Sequence, residues 1–206
     1  MINLPNVTLI GIDGINPERT LYAMLECRKY CKFAKSILFG DLPSEFLPLN
    51  AFVTINQNIS SRKDNSNFIL TTLHHYIETD FVMICQHDGY IINPKAWTSD
   101  FLKYDYIGAP WWKENSSQDI GNVGNGGFSI RSTKLLKLIA ELYDNEEGEE
   151  DIIICQTMLP KLKSCSFAPT SLAKRFSWEG NNNDYLTYEG SFGFHSKAGR
   201  PDICQK

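Results

Sequence analysis

The sequence predicts an α/β protein, a single domain over residues 1–206 with a central, mostly parallel sheet flanked by helices. Three observations carry this prediction. Residues 7–12 (VTLIGI) and 81–85 (FVMIC) are unbroken apolar runs, as expected of strands buried on both faces of a parallel sheet. Strand-like and helix-like segments alternate through the first half, the order produced when helices connect parallel strands. Acidic residues follow the apolar runs directly, at Asp13-Gly14, Asp41 and Gln86-His87-Asp88-Gly89. Ligands of such sheets bind beyond the carboxyl ends of the strands.

Each element has its own signal. The first strand covers residues 7–12, and a helix follows with Asn16 as N-cap and Pro17 at its first position. Its apolar stripe carries Leu21, Met24, Leu25 and Cys31. Residues 36–41 and 51–55 read as a second and a third strand. Ile69, Leu70, Leu73, Tyr76 and Ile77 mark one face of the next helix, before the fourth strand at 81–85. In the second half, residues 121–127 (GNVGNGG) read as a loop ahead of a short strand at 128–130. Ser132 or Thr133 caps a helix whose face carries Leu135, Leu138, Ile139 and Leu142. Residues 145–150 read as a solvated acidic loop and 180–184 as a polar one. The run at 151–155 (DIIIC) fits a helix or a strand, because periodicity does not separate them.

Composition excludes several classes. A net charge of −4 argues against nucleic-acid binding, which calls for a basic face. It leaves room for a phosphorylated small molecule, since backbone amides and one cation can hold a diphosphate. The six cysteines form no Cys-x-x-Cys pair and lie mostly in apolar runs, which predicts reduced thiols and a cytoplasmic location. No basic segment leading into an apolar one opens the chain, so no signal peptide is expected. Nor does any apolar run reach the ~20 residues of a membrane span.

From Gln86 onward, ordered blocks carry a resemblance. Gln86-His87-Asp88-Gly89, then Tyr104-Asp105-Tyr106-Ile107-Gly108-Ala109-Pro110-Trp111, Gly124-Asn125-Gly126-Gly127-Phe128-Ser129, Glu150-Asp151, and Phe192-Gly193-Phe194-His195 follow one another. Phe167-Ala168-Pro169 and Arg175-Phe176-Ser177 fall between the last two. This set resembles a mostly uncharacterised family of GT-A-like glycosyltransferase domains from bacterial surface-polysaccharide loci and large viruses. The resemblance implies a Rossmann-like GT-A fold and transfer of a sugar from a nucleoside-diphosphate-sugar donor to a hydroxyl of a glycan or polysaccharide.

It also implies site roles. GT-A enzymes hold a divalent cation with an Asp-x-Asp motif after a buried strand. Here Asp88 matches the last acid, and Gln86 stands where the first would bind ribose. An amide still hydrogen-bonds a hydroxyl but adds no charge, so dependence on Mn²⁺ or Mg²⁺ is expected to be weaker. His195 matches the late histidine that completes the metal site in the β-1,4-galactosyltransferases. Glu150-Asp151 matches their acidic motif, with Asp151 as the base toward the acceptor and Glu150 binding a sugar hydroxyl or assisting; such a base suits an inverting reaction, while the sequence itself shows no anomeric geometry and leaves a retaining one open. Gly126 and Gly127 would approach donor and acceptor, and Asp13 the nucleotide.

Other residues are read from their chemistry. At least one of Trp111 and Trp112 is expected to offer an indole face to the acceptor sugar, the other to pack in the core. Arg131 fits a phosphate contact or a surface salt bridge equally well. Asp41 is read as turn chemistry, His74 and His75 as structural, and His87 as pointing away from the site. Two other functions compete. One is a silent nucleotide-sugar or carbohydrate-binding module, which Gln86 favours. The other is a sugar nucleotidyltransferase, which Gly14-Ile15-Asn16-Pro17 disfavours because it lacks a basic loop.

Overall fold

The computed structural model describes residues 1–42, 53–111, 123–180, 188 and 190–196. In chain order the elements are β1 (Ile2–Ile12), α1 (Pro17–Tyr30), β2 (Cys31–Phe39), β3 (Val53–Ile55), α2 (Arg62–Thr71), β4 (Phe81–Cys85) and β5 (Gly89–Ile91). They continue with β6 (Tyr106–Pro110), β7 (Val123–Ser132), α3 (Thr133–Leu142), α4 (Glu150–Ile152), α5 (Thr170–Phe176), β8 (Ser177–Gly180) and β9 (Gly193–Ser196).

The main sheet has the order β3-β2-β1-β4-β7-β6. β3, β2, β1 and β4 are parallel, while β7 runs antiparallel to β4 and β6 antiparallel to β7. Residues alternate between its faces, as strand geometry requires. Leu9, Leu38 and Met83 cluster with Leu21, Met24 and Cys27 of α1. Ile10, Ile37, Val82 and Ile84 cluster instead with Phe68 and Ile69 of α2 and Leu136 of α3. Helices thus cover both faces, and the two-sided burial explains the apolar character of β4 and of residues 7–12 of β1. The β1–β2 register shifts between Leu4 and Thr8, beside Pro5, which has no N–H to give to the ladder.

Between β1 and β4 the chain's progression across the sheet reverses. Such a switch point opens a crevice at the carboxyl ends of the two central strands. Here those ends deliver Asp13 and the Gln86-His87-Asp88 triplet. A second sheet, β5-β9-β8, closes one side, with β9 antiparallel to β5 and parallel to β8. Its footing is aromatic: Phe128 stacks on Phe176 at 5.0 Å, and Trp97 packs on Phe192 at 5.1 Å. Among the described residues no helix is long and apolar enough to cross a membrane.

Several expectations change. α1 ends at Tyr30; Cys31 donates its N–H to the Cys27 carbonyl and opens β2 without a connecting loop. Asn16 occupies the N-cap position, but its side chain makes no capping bond. Asp13 instead fixes the turn that leads into the helix, its Oδ1 accepting from the Ile15 and Asn16 N–H groups at 3.0 and 2.8 Å. The glycine run is not a loop. Gly124, Asn125, Gly126 and Gly127 belong to β7, fully within the buried part of the sheet. Neighbouring groups fill the space where Cβ atoms of Gly124, Gly126 and Gly127 would stand, so a glycine-rich sequence forms a packed strand. Residues 151–155 are helical: α4 passes into a π-helical turn at Ile153–Thr157. Cys27, Cys31, Cys85 and Cys155 are buried free thiols, as expected; Cys204 lies outside the described residues.

Candidate functional site

A cavity of about 380 Å³ opens at the switch point. Its floor is Gln86, His87 and Asp88 after β4, with Asp13 and Gly14 after β1. α2 contributes Arg62, Asn65 and Ser66, which its 3.6-residue turn places on one face. The opposite walls are Glu149, Glu150 and Asp151 of the α4 turn, and Glu179 and His195 of the small sheet. Six carboxylates therefore face Arg62 and two histidines, so the cavity is acidic.

Asp88 and His195, far apart in sequence, meet because β9 pairs with β5, placing His195 opposite Gly89. His195 Nε2 lies 3.4 Å from Asp88 Oδ1. That oxygen is buried and makes no well-aligned hydrogen bond. On its other side His195 Nδ1 lies 3.1 Å from Glu179 Oε2. Burial opposes a charge on His195, but the carboxylates of Asp88 and Glu179 on its two sides outweigh burial and push its pKa up to about 10. Burial also raises Asp88, yet His195, with help from His87, holds its carboxyl below the usual range. His87 does not point away: it lines the cavity with Nε2 3.9 Å from Asp88 Oδ2.

The acidic turn splits its two carboxylates. Glu150 is buried, and its Oε1 accepts from Arg131 Nη2 at 2.8 Å. Its N–H donates to Ser66 Oγ at 3.2 Å, tying the turn to α2. Asp151 remains open to the cavity, with Oδ2 accepting the Gly126 N–H at 3.0 Å and Oδ1 accepting the Ile152 N–H. Burial, followed by repulsion from Glu150, raises the Asp151 pKa to about 6. Arg131, expected on the surface or at a phosphate, is fully buried in the pair with Glu150.

Gly126 and Gly127, expected to approach donor and acceptor, are not among the cavity walls; their contacts with the acidic turn and the histidine are what require glycine. A Cβ at Gly126 would come 2.3 Å from Glu150 Oε1, and one at Gly127 2.2 Å from His195 Nε2. They let the strand pass directly against the acidic turn and the histidine. Asn125, not singled out from sequence, is the β7 residue that lines the cavity; its Oδ1 accepts the Gly127 N–H. Trp111 is not among the cavity walls. Its indole covers Gly124, where a Cβ would sit 2.2 Å from the ring. Trp112 lies outside the described residues. Asp41 is exposed beyond β2, away from the cavity, and His74 and His75 lie outside it with their rings tilted against each other at 3.9 Å.

Sequence reasoning also missed Glu179, Asn65 and Ser66. Glu179 sits two residues after Ser177 in the Arg175-Phe176-Ser177 block, so strand alternation places both on one face. Asn65 and Ser66 follow Arg62 at helical spacing ahead of the apolar stripe, a polar face with no signal of its own.

Comparison places this architecture among known folds. The structure resembles that of a glycosyltransferase involved in glycosylation of the major capsid of PBCV-1, with a TM-score of 0.53, 11% identity, and coverage of 97% of this chain and 93% of that one. It also resembles core-mannan synthase A of Aspergillus fumigatus in its Mn/GDP form, with a TM-score of 0.53, 7% identity, and coverage of 81% and 71%. At these identities the likeness is one of fold, and the fold is GT-A. No curated protein matches the sequence. A family model does match residues 50–195, and the chain accordingly belongs to the family described as "Protein of unknown function (DUF5672)".

Proposed function

We propose that this protein is a glycosyltransferase that moves a sugar from a nucleoside-diphosphate-sugar to a hydroxyl of a glycan, with inversion at the sugar carbon. One observation carries the reading: a carboxylate with a pKa raised to about 6, Asp151, shares a switch-point cavity with the Asp88–His195 pair. The pair supports a leaving-diphosphate site, and Asp151 supports an acceptor-activating one.

In this reading Asp151 takes the acceptor proton. The acceptor oxygen bonds to the anomeric carbon as the bond from that carbon to the diphosphate breaks, its electron pair leaving with the diphosphate. A general base with a pKa near 6 is ionised at neutral pH yet basic enough to accept that proton. Asp13, whose carboxylate also accepts from Thr20 Oγ1 at 3.0 Å, rigidifies the wall where the nucleotide would lie. Gln86 would bond a ribose hydroxyl as donor or acceptor.

The residues fit a divalent ion as a two-point anchor. Asp88 Oδ1 is a buried oxygen with no well-aligned hydrogen bond and His195 as its neighbour, and His195 adds a nitrogen suited to Mn²⁺ once its proton leaves. Among the described residues no group of three His, Cys, Asp or Glu is placed to hold a metal. Diphosphate oxygens and water would therefore complete the shell, a division common for such ions. When bound, the ion supplies charge neutralisation for the departing diphosphate.

The test is to incubate the protein with a panel of nucleotide sugars, with and without Mn²⁺, and measure released nucleoside diphosphate. Release from at least one donor, enhanced by metal, is expected. Absence of both release and binding across the panel overturns the enzyme reading. Binding without release in the presence of acceptor glycans favours the alternative, a silent nucleotide-sugar-binding module, for which the uncharged Gln86 speaks.

A further inference from the structure

The buried pair beneath the acidic turn has a geometry that reaches the cavity. Arg131 is fully buried near the C-terminal end of β7, with its guanidinium 5.2 Å above the Tyr106 ring. Its Nε donates to Ser129 Oγ at 3.2 Å, and that hydroxyl donates to the Gly126 carbonyl at 3.0 Å. Its Nη2 holds Glu150 Oε1 at 2.8 Å. From Glu150 the chain passes to Asp151, whose Oδ2 accepts the Gly126 N–H at 3.0 Å. The bonds form a closed circuit: both backbone polar groups of Gly126 are engaged, one through Ser129 and Arg131, the other by Asp151.

We propose that Arg131 is a positioning residue that fixes the Asp151 carboxylate in the cavity by clamping Glu150 and the Gly126 strand segment in one hydrogen-bonded circuit. This rests on the reading of Asp151 as the base. The clamp assigns different tasks to two adjacent acids. Glu150 is neutralised in the interior, and Asp151, one residue on, is turned outward with its charge uncompensated by a direct cation contact. A buried guanidinium suits this task because its planar fork holds two acceptors at a fixed angle, which an ammonium cannot do. The remaining Nη1 has no hydrogen-bond partner, a cost tolerated where a buried arginine serves geometry. Positioning matters energetically because small displacements of a base from its proton lower rates steeply.

Removing Arg131 alone would strand Glu150 as a buried unpaired charge and threaten folding. The informative variants are therefore Arg131→Lys, which keeps the charge, and the double variant Arg131→Met with Glu150→Gln, which removes both charges at similar volume. Thermal melting and titration calorimetry with the donor establish folding and binding, and single-turnover transfer measures chemistry. The charges facing Asp151 are Glu150 from its own turn and Arg131 from β7, with Tyr106 and Cys155 as the nearby neutral titratable groups. The double variant thus removes one raising and one lowering influence together. For the folded double variant, donor affinity within about threefold of wild type and a transfer rate lower by about tenfold or more are expected, with Arg131→Lys between the two. Wild-type transfer by both folded variants overturns the proposal, as does an equal loss of donor affinity and rate. Asp151→Asn serves as the reference. If it loses transfer while the double variant does not, Arg131 has no positioning role and the base assignment stands. If Asp151→Asn transfers normally, the base assignment fails and the role of Arg131 falls with it.

Discussion

Asp151 and Asp88 are both aspartates at the edge of one cavity, yet their surroundings drive them in opposite directions. Burial and Glu150 raise Asp151, while His195 holds Asp88 below the ordinary range. Two consequences follow for pH. Transfer should decline as pH falls through about 6, where Asp151 takes up its proton, and a kcat profile with saturating donor measures this. Stability should show the reverse cost. The folded-state pKa of Asp151 lies above its ordinary value of 3.8, so the stability it contributes is fully present below about 4 and lost as pH rises through about 6. Asp151→Asn should therefore raise Tm at pH 8 by a few degrees and leave it nearly unchanged at pH 4. The same variant should abolish transfer, so melting curves and assays on one preparation check both expectations.

At the scale of elements, β7 illustrates how glycine can build a strand. Its backbone is pressed on by Glu150, Arg131 and His195 at positions where any side chain would collide. Gly127→Ala would drive a methyl group to 2.2 Å from His195 Nε2. Either the imidazole or the strand must move, at a cost of about 1–3 kcal/mol. Lower Tm together with weakened donor binding is expected, and calorimetry with the donor distinguishes this from simple destabilisation. The first part of the strand, residues 123–127, was illegible in the sequence because glycine and asparagine report turn chemistry in isolation, whereas here tertiary neighbours set the conformation. The parallel half was legible for the opposite reason. β1 and β4 are buried on both faces, so burial alone wrote them as apolar runs. Between these extremes lies the small sheet. His195 was marked by its block, but Glu179 was not, since it acquires its role through the pairing of β8 with β9.

The whole molecule joins these parts through topology. Reversal of strand order between β1 and β4 opens the crevice, the antiparallel β7 carries the glycines and Arg131 past the acidic turn, and the small sheet supplies His195 and Glu179. The ends of β1 and β4 were foreseeable from sequence, because the α/β pattern itself directs ligands to them. The α2 wall was not, because Arg62, Asn65 and Ser66 face the cavity only after α2 docks beside the acidic turn. In the proposed function the site has two poles, Asp88 and His195 toward the donor and Asp151 toward the acceptor. Donor binding and single-turnover transfer measured side by side on Asp88→Ala and Asp151→Asn test this division most directly. The account predicts that Asp88→Ala loses donor binding by about tenfold or more, while Asp151→Asn binds donor as wild type does and fails to transfer. Equal loss of donor binding in the two variants, or transfer surviving in Asp151→Asn, would contradict it.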